Sequence, residues 1–126
     1  MFARLQFVAA LLSEEPSGEA SAGGRLLWRD AQGRVRVLAV DRPLVVGRAT
    51  DCAVVLDSNR ASRRHCEVAP DGEGCALRDL GSSNGTRVNG VKVGAGPRPL
   101  HDGDVLEAGG VGIVFAIGDP DRQEVG

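Results

Sequence analysis

The sequence has no tyrosine, one tryptophan and three phenylalanines, so aromatic residues make up only 3% of its 126 residues. Glycine, in contrast, occurs 18 times. This composition favours short strands joined by many tight turns, because glycine adopts turn conformations without steric cost. The length is sufficient for one domain with a hydrophobic core. We therefore expect a single all-β domain.

The sequence also lacks an excess of positive charge, since 15 lysines and arginines face 17 acidic residues and the net charge is −2. Bulk attraction to nucleic acid or to an anionic membrane requires many uncompensated cations. Stacking aromatic residues, which single-stranded nucleic acids need, are equally scarce. We expect no nucleic-acid partner and no membrane partner, so any basic site must be local.

Long apolar runs are missing as well. The longest, LQFVAALL at Leu5 to Leu12, is far shorter than the roughly 18 residues that a membrane span needs. It follows a basic residue, as in a secretory signal, but the acidic stretch before the only candidate cleavage site is too long. The expected location is cytoplasmic.

The three cysteines, Cys52, Cys66 and Cys75, form no C-x-x-C pair, which argues against a disulfide framework and against a zinc site. The sequence also lacks a G-x-S-x-G nucleophile motif and the lysine of a P-loop. It therefore predicts reduced thiols, no metal, no cofactor and no enzymatic activity.

Three regions differ in composition. Before residue 14 the apolar residues recur at helical spacing, which predicts a short amphipathic helix. Residues 14–24 contain no large apolar side chain and are typical of a linker. We expect an N-terminal extension over 1–24, a compact domain over 25–118 and a polar tail over 119–126. The apolar positions of the extension are Phe2, Leu5, Val8, Ala9 and Leu12.

The compact region alternates apolar and polar residues with a period of two, which predicts strands. Val35 and Val37 share one face of the second strand, and Val111, Ile113, Phe115 and Ile117 share one face of the last. The stretch VNGV at Val88 to Val91 predicts a two-residue hairpin, because Asn-Gly accepts positive φ at both central positions. Together these features indicate a β-sandwich. The predicted strands are RLLWRD, RVRVLAV, PLVVGR, AVVL, RHCEVAP, CALRDL, TRVN, VKV and VGIVFAI.

Four short motifs follow one another along this region: GR at Gly47, SRRH at Ser62 to His65, GSSNGT at Gly81 to Thr86 and DGD at Asp102 to Asp104. Together they resemble the forkhead-associated (FHA) domain, in its small single-domain bacterial form, over roughly residues 25–118. The resemblance implies an all-β sandwich of about eleven strands that binds phosphothreonine peptides through the loops at one end.

The resemblance also implies roles for individual residues. Arg48, Ser62, Arg63 and Arg60 are expected to contact the phosphate, whose charge and acceptor oxygens call for guanidinium groups and hydroxyls. Ser83 and Asn84 are expected to contact the peptide backbone. The expected supports of the site are Gly47, His65, Gly85, Thr86 and Asn89.

Taken alone, each motif has a simpler interpretation. Arg48 could end a strand in water, RASRR at residues 60–64 could be a kinase substrate site or a small nucleic-acid patch, and NGT at residues 84–86 matches a glycosylation acceptor. In the order found here, the motifs favour a phosphothreonine-binding module, monomeric or weakly dimeric. The alternative is a phosphate-independent scaffold that works through the N-terminal helix or a sheet face.

The expected partner is a threonine-phosphorylated protein, with a Ser/Thr kinase or one of its substrates as candidates. The 126 residues contain only two threonines, Thr50 and Thr86, and both lie in the motif loops. We therefore expect the phosphothreonine to come from another chain.

Overall fold

The computed structural model of the chain describes residues 23–118. The predicted amphipathic helix and the polar tail lie outside the described residues. Within them the structure contains eleven strands and no helix, so none that could cross a membrane. The strands are β1 (Arg25–Arg29), β2 (Val35–Ala39), β3 (Leu44–Gly47), β4 (Val54–Val55), β5 (Cys66–Asp71), β6 (Gly74–Asp79), β7 (Thr86–Val88), β8 (Val91–Lys92), β9 (Arg98–Leu100), β10 (Val105–Ala108) and β11 (Val111–Ala116).

The strands form two sheets that pack face to face. One sheet has six strands in the order β2-β1-β11-β10-β7-β8, and the other has five in the order β4-β3-β5-β6-β9. All neighbours are antiparallel except β3 and β4, which run parallel. The predicted all-β sandwich of about eleven strands is confirmed.

The core lies between the sheets and is built mainly from aliphatic residues. In the six-stranded sheet, Leu26 of β1 lies opposite Phe115 of β11, and both are fully buried. In the other sheet, Val68 of β5 lies between Leu44 of β3 and Leu77 of β6. Ile113 is also fully buried, so the predicted inward face of the last strand is confirmed.

The VNGV stretch forms the predicted hairpin. Val88 pairs with Val91, and the two residues between them have positive φ, 52° at Asn89 and 84° at Gly90. Within residues 23–118, Asn89 is the only residue other than glycine with positive φ.

Two expectations from the sequence were incomplete. The nine predicted strands omit β9, an edge strand interrupted by Pro99, and β10, whose four residues are too few for a clear alternation. Val35 and Val37 share a face, as predicted, but that face is the solvent side of the sheet, with exposed fractions of 57% and 54%. The alternation of apolar and polar residues therefore showed which residues share a face of β2, but not which of its faces packs on the core.

We expect Phe115→Ala to lower the free energy of unfolding by about 3–5 kcal/mol, because Phe115 is a large, fully buried side chain and its removal leaves a cavity. Val91→Ala is the matched control on the same sheet, since Val91 is 69% exposed. Urea unfolding, followed by the fluorescence of the single tryptophan, should show that the free energy of unfolding of the control changes by less than about 0.5 kcal/mol. Equal losses in the two variants would contradict the assigned core.

Candidate functional site

The loops that carry the predicted site residues meet at one end of the sandwich. These are the loop between β3 and β4, the loop between β4 and β5, the loop between β6 and β7, and the two-glycine turn between β10 and β11. Hydrogen bonds link them directly. Arg48 N donates to the Ser62 carbonyl at 2.9 Å, and Ser58 Oγ donates to the Gly109 carbonyl at 2.6 Å.

Gly47 allows the end of β3 to pack tightly against the loop between β4 and β5. A Cβ atom at this position would lie 2.2 Å from the carbonyl oxygen of Arg63. The close approach aligns the next two residues with the loop, so that Ala49 N also donates to the Arg63 carbonyl, at 3.1 Å. A side chain at residue 47 would therefore displace this loop.

His65 is completely buried and connects two of the loops. Its Nδ1 accepts a hydrogen bond from Ser62 N at 2.9 Å, so Nε2 carries the hydrogen and donates to the Gly85 carbonyl at 2.8 Å. Both ring nitrogens are thus used within the chain. The imidazole fixes the backbone at Ser62 relative to the backbone at Gly85.

Two further contacts join the same loops near the surface. The Ser62 hydroxyl accepts a hydrogen bond from Ser83 N at 3.1 Å. The Asn84 side chain donates through Nδ2 to the Arg60 carbonyl at 2.8 Å. Ser83 and Asn84 are exposed and Ser62 is half-buried, so all three side chains border the solvent.

Asp79 organises the loop between β6 and β7, and it was not predicted as a site residue from the sequence. Its carboxylate accepts hydrogen bonds from the hydroxyls of Ser82 and Thr86, at 2.6 and 2.7 Å, and from the backbone N–H groups of residues 81 and 82. Burial raises the pKa of Asp79, but these hydrogen bonds outweigh burial and hold the pKa below its ordinary value. Its position two residues before the GSSNGT motif was the available signal.

Three arginines around Ser62 have no acidic partner in the described part of the chain. Arg48 donates through Nε to the Ala61 carbonyl at 3.0 Å, which orients its guanidinium and leaves both Nη groups available. Arg60 and Arg63 are exposed. Arg64, in contrast, forms an ion pair with Asp51 at 3.2 Å. The site therefore concentrates uncompensated positive charge in a chain whose net charge is −2.

A cleft of about 340 Å³ adjoins this cluster and contains residues that the sequence analysis missed. Arg87 of β7 and Glu107 of β10 lie opposite each other in the sheet and line the cleft together with Arg60. The guanidinium of Arg60 lies against Gly110, where a side chain would collide with it. Arg48 and Ser62 are outside the lining, so the cleft borders the arginine cluster without enclosing it.

The remaining predicted support residues lie in two places. Gly85 and Thr86 are at the loop end of β7, and Thr86 is fully buried. Asn89 follows the opposite end of β7, where its side chain bonds Asp104 Oδ1 at 3.0 Å and Val105 N at 3.0 Å. The structure therefore brings every predicted residue except Asn89 to the site.

The buried cysteines have neither the arrangement of a metal centre nor the ionisation of a nucleophile. All three are free, and burial raises the pKa of each thiol, that of Cys66 to about 12. Over residues 23–118 no group of three potential metal ligands comes together. These thiols belong to the packing of the sandwich.

Comparison with known proteins gives consistent matches. A family model described as FHA domain matches residues 44–109. The ABC transporter ATP-binding/permease protein Rv1747 of Mycobacterium tuberculosis is 41% identical over 101 residues, which cover 80% of this chain and 10% of that protein. The chain spans 37% and 18% of the lengths of two further curated relatives. In all three cases it corresponds to well under half of the relative.

Solved structures of single domains match over almost their full length. One, from a study of phosphothreonine-dependent FHA domain interactions, is 34% identical, has a TM-score of 0.65 and is matched over 97% of its length and 76% of this chain. Another, the FhaA FHA domain in complex with the intracellular domain of Rv3910, is 35% identical with a TM-score of 0.63, matched over 99% of its length and 74% of this chain.

We expect Gly47→Ala to destabilise the domain by about 1–3 kcal/mol, because the new methyl group would overlap the Arg63 carbonyl and push the loop away. Gly74→Ala is the matched control, since a Cβ atom at Gly74 in β6 meets nothing within 4 Å. Urea unfolding compares the two variants. An unchanged stability of Gly47→Ala would mean that the contact with the loop is not tight.

We expect the stability of the domain to fall in acid, in part through Asp79. Its pKa is lower in the folded chain than in the unfolded chain, so the carboxylate stabilises the fold at pH values above the unfolded pKa of about 3.9. That contribution is lost as the pH falls through the lowered folded pKa. Unfolding free energies measured from about pH 6 to pH 3 should decrease less steeply for Asp79→Asn than for the wild type. Parallel curves would exclude the contribution of Asp79.

Proposed function

Because the chain belongs to the FHA domain family, we propose that it binds a phosphothreonine-containing segment of a partner protein. The observation that carries this proposal is the cluster of three arginines without acidic partners around the Ser62 hydroxyl. FHA domains read phosphorylated motifs through such arginine clusters. The region that works as the binding module is residues 25–118.

The contacts to the phosphate follow from the bonds that each side chain already makes. Arg48 is held by its Nε atom and offers two Nη groups to phosphate oxygens. The Ser62 hydroxyl accepts from Ser83 N, so its own hydrogen remains available for donation. Arg63 and Arg60 add positive charge from the same loop. Charge-assisted hydrogen bonds of this kind are about twice as strong as neutral ones.

The loop between β6 and β7 is placed to contact the backbone of the bound peptide. Asn84 uses one amide hydrogen within the chain, on the Arg60 carbonyl, so its Oδ1 atom can accept a peptide N–H. Ser83 is beside it and is exposed. A backbone contact of this type accepts peptides of differing sequence, and the adjoining cleft then receives a side chain that flanks the phosphothreonine.

The phosphothreonine is supplied by another protein, with a Ser/Thr kinase or one of its substrates as candidates. Of the two threonines in the chain, Thr86 is fully buried and bonded to Asp79, so a kinase cannot reach its hydroxyl. Thr50 is exposed, but it lies in the loop of the site itself, two residues after Arg48. The relative solved with an intracellular domain bound supports a protein partner. The free thiols of the chain agree with a reducing, cytoplasmic location.

The role that we propose is binding without catalysis. The FHA fold is a binding module. His65, the histidine at the site, uses both ring nitrogens to hold loops together and has none available for proton transfer. A catalytic base must lie within hydrogen-bonding reach of the reacting proton.

We expect Arg48→Ala to weaken binding of a phosphothreonine peptide at least tenfold, since it removes a charge-assisted hydrogen bond worth about 1.5–3 kcal/mol. A degenerate phosphothreonine peptide library, titrated by fluorescence anisotropy, first identifies a peptide that binds the wild type. The dissociation constants of that peptide for the wild type and for Arg48→Ala then give the loss of affinity. Unphosphorylated and phosphoserine forms of the peptide are the ligand controls.

Arg42→Ala is the matched protein control. Arg42 is an exposed arginine that precedes β3, at the end of the sandwich opposite the loops, where it pairs with Asp41. It should bind like the wild type. If Arg48→Ala kept full affinity, or if the unphosphorylated peptide bound equally well, the arginine cluster would not be a phosphate site.

A further inference from the structure

Four aliphatic side chains form a continuous row across the solvent side of the six-stranded sheet. We call Val37, Leu27, Val114 and Val105 the outer row. The register places each beside the next, on β2, β1, β11 and β10 in turn. Leu27 is half-buried, whereas Val37, Val114 and Val105 are 54%, 39% and 44% exposed.

The apolar surface continues from the outer row into a cleft of about 410 Å³. The pairing of β1 with β11 ends at Leu27 and Val114, and the cleft opens beyond that point. Trp28, Val35 and Val111 line it, together with the charged Arg29 and with Gly112, which contributes no side chain. Exposed apolar surface on a soluble domain is typical of a face on which another segment or another chain docks.

The first twelve residues of the chain have the chemistry to cover this surface. They contain five apolar residues at helical spacing and a single charged side chain, that of Arg4. The ten residues that follow, 13–22, include no large apolar residue, so the apolar content of the N-terminal part is concentrated in one block. The five residues are Phe2, Leu5, Val8, Ala9 and Leu12.

The connection is long enough to reach the outer row. The described part of the chain begins at Gly23, two residues before β1, and β1 contributes Leu27 to the row. Ten extended residues span up to about 33 Å. The four strands of the row are only three spacings of about 4.8 Å apart, or about 14 Å in total. Residues 1–12 can therefore lie anywhere on the row.

Charge complementarity favours the same arrangement. Arg25 and Arg29 of β1 lie on the same face as Leu27, on either side of it, because alternate residues of a strand share a face. Within residues 23–118 neither arginine pairs with a carboxylate. The connecting residues 13–22 carry three glutamates, Glu14, Glu15 and Glu19.

We propose that residues 1–12 of this chain fold back and cover the outer row of their own domain. The row lies on a sheet face, whereas the arginine cluster lies at the end of the sandwich. Covering the row therefore leaves the phosphate loops accessible. The consequence is a binding module whose exposed sheet face is covered by its own N-terminal segment.

The test uses the full chain and methyl NMR spectroscopy. The wild type should show nuclear Overhauser contacts between the Phe2 ring and the methyl groups of the outer row. The variant with Leu5→Ser and Val8→Ser should lose these contacts and shift the methyl resonances of Leu27 and Val114. Val91, exposed on β8 of the same sheet but outside the row, is the internal control and should not shift.

Sedimentation velocity at several concentrations separates the alternatives. A monomer with these contacts supports the proposal. Contacts that appear only as a dimer forms would overturn it, because the occupant would then be a second copy. A monomer without contacts and with unshifted row methyls would also overturn it. Arg48→Ala should leave all the contacts intact, so loss of phosphopeptide binding can be distinguished from loss of the covering segment.

Discussion

The loop end of the sandwich depends on one buried side chain. His65 accepts a hydrogen bond from Ser62 N and donates one to the Gly85 carbonyl, and it has no contact with solvent. Unpaired polar groups in the interior cost about 1–3 kcal/mol each, so all three groups favour this single arrangement. The two loops that carry Ser62 and Asn84 therefore hold a fixed spacing before any ligand arrives. Such preorganisation reduces the ordering cost of binding.

The position of the positive charge depends on that same scaffold. The contact of Gly47 with the Arg63 carbonyl and the bond from Arg48 Nε to the Ala61 carbonyl direct the Arg48 guanidinium beside Ser62. Arg64, next in the chain to Arg63, is compensated by Asp51 instead. A chain with a small net negative charge can thus present a strong local cationic site. Its attraction for anions is confined to one end, which suits recognition of a single phosphate more than a long polyanion.

The two proposals assign different tasks to two separate surfaces. The loops at the end of the sandwich provide charge and hydrogen bonds, and the outer row on the sheet provides apolar area. Strands β10 and β11 connect these surfaces, because their turn at Gly109 and Gly110 borders the arginine cluster while Val105 and Val114 belong to the row. A rigid sheet between them allows both surfaces to be occupied at the same time.

The sequence by itself determined those features of this protein that depend on residues close together along the chain. The Asn89-Gly90 hairpin and the inward face of β11 depend on neighbouring residues, and both were predicted correctly. The site motifs were also recognisable, because each needs specific residue types at short spacing. Only the tertiary structure decided the rest: the central place of β10, the exposed side of Val35 and Val37, Asp79 as the organiser of its loop, and the cleft formed by Arg60, Arg87 and Glu107. These features depend on which strands become neighbours across the sheets, and such long-range pairing is not encoded in the period of any one segment.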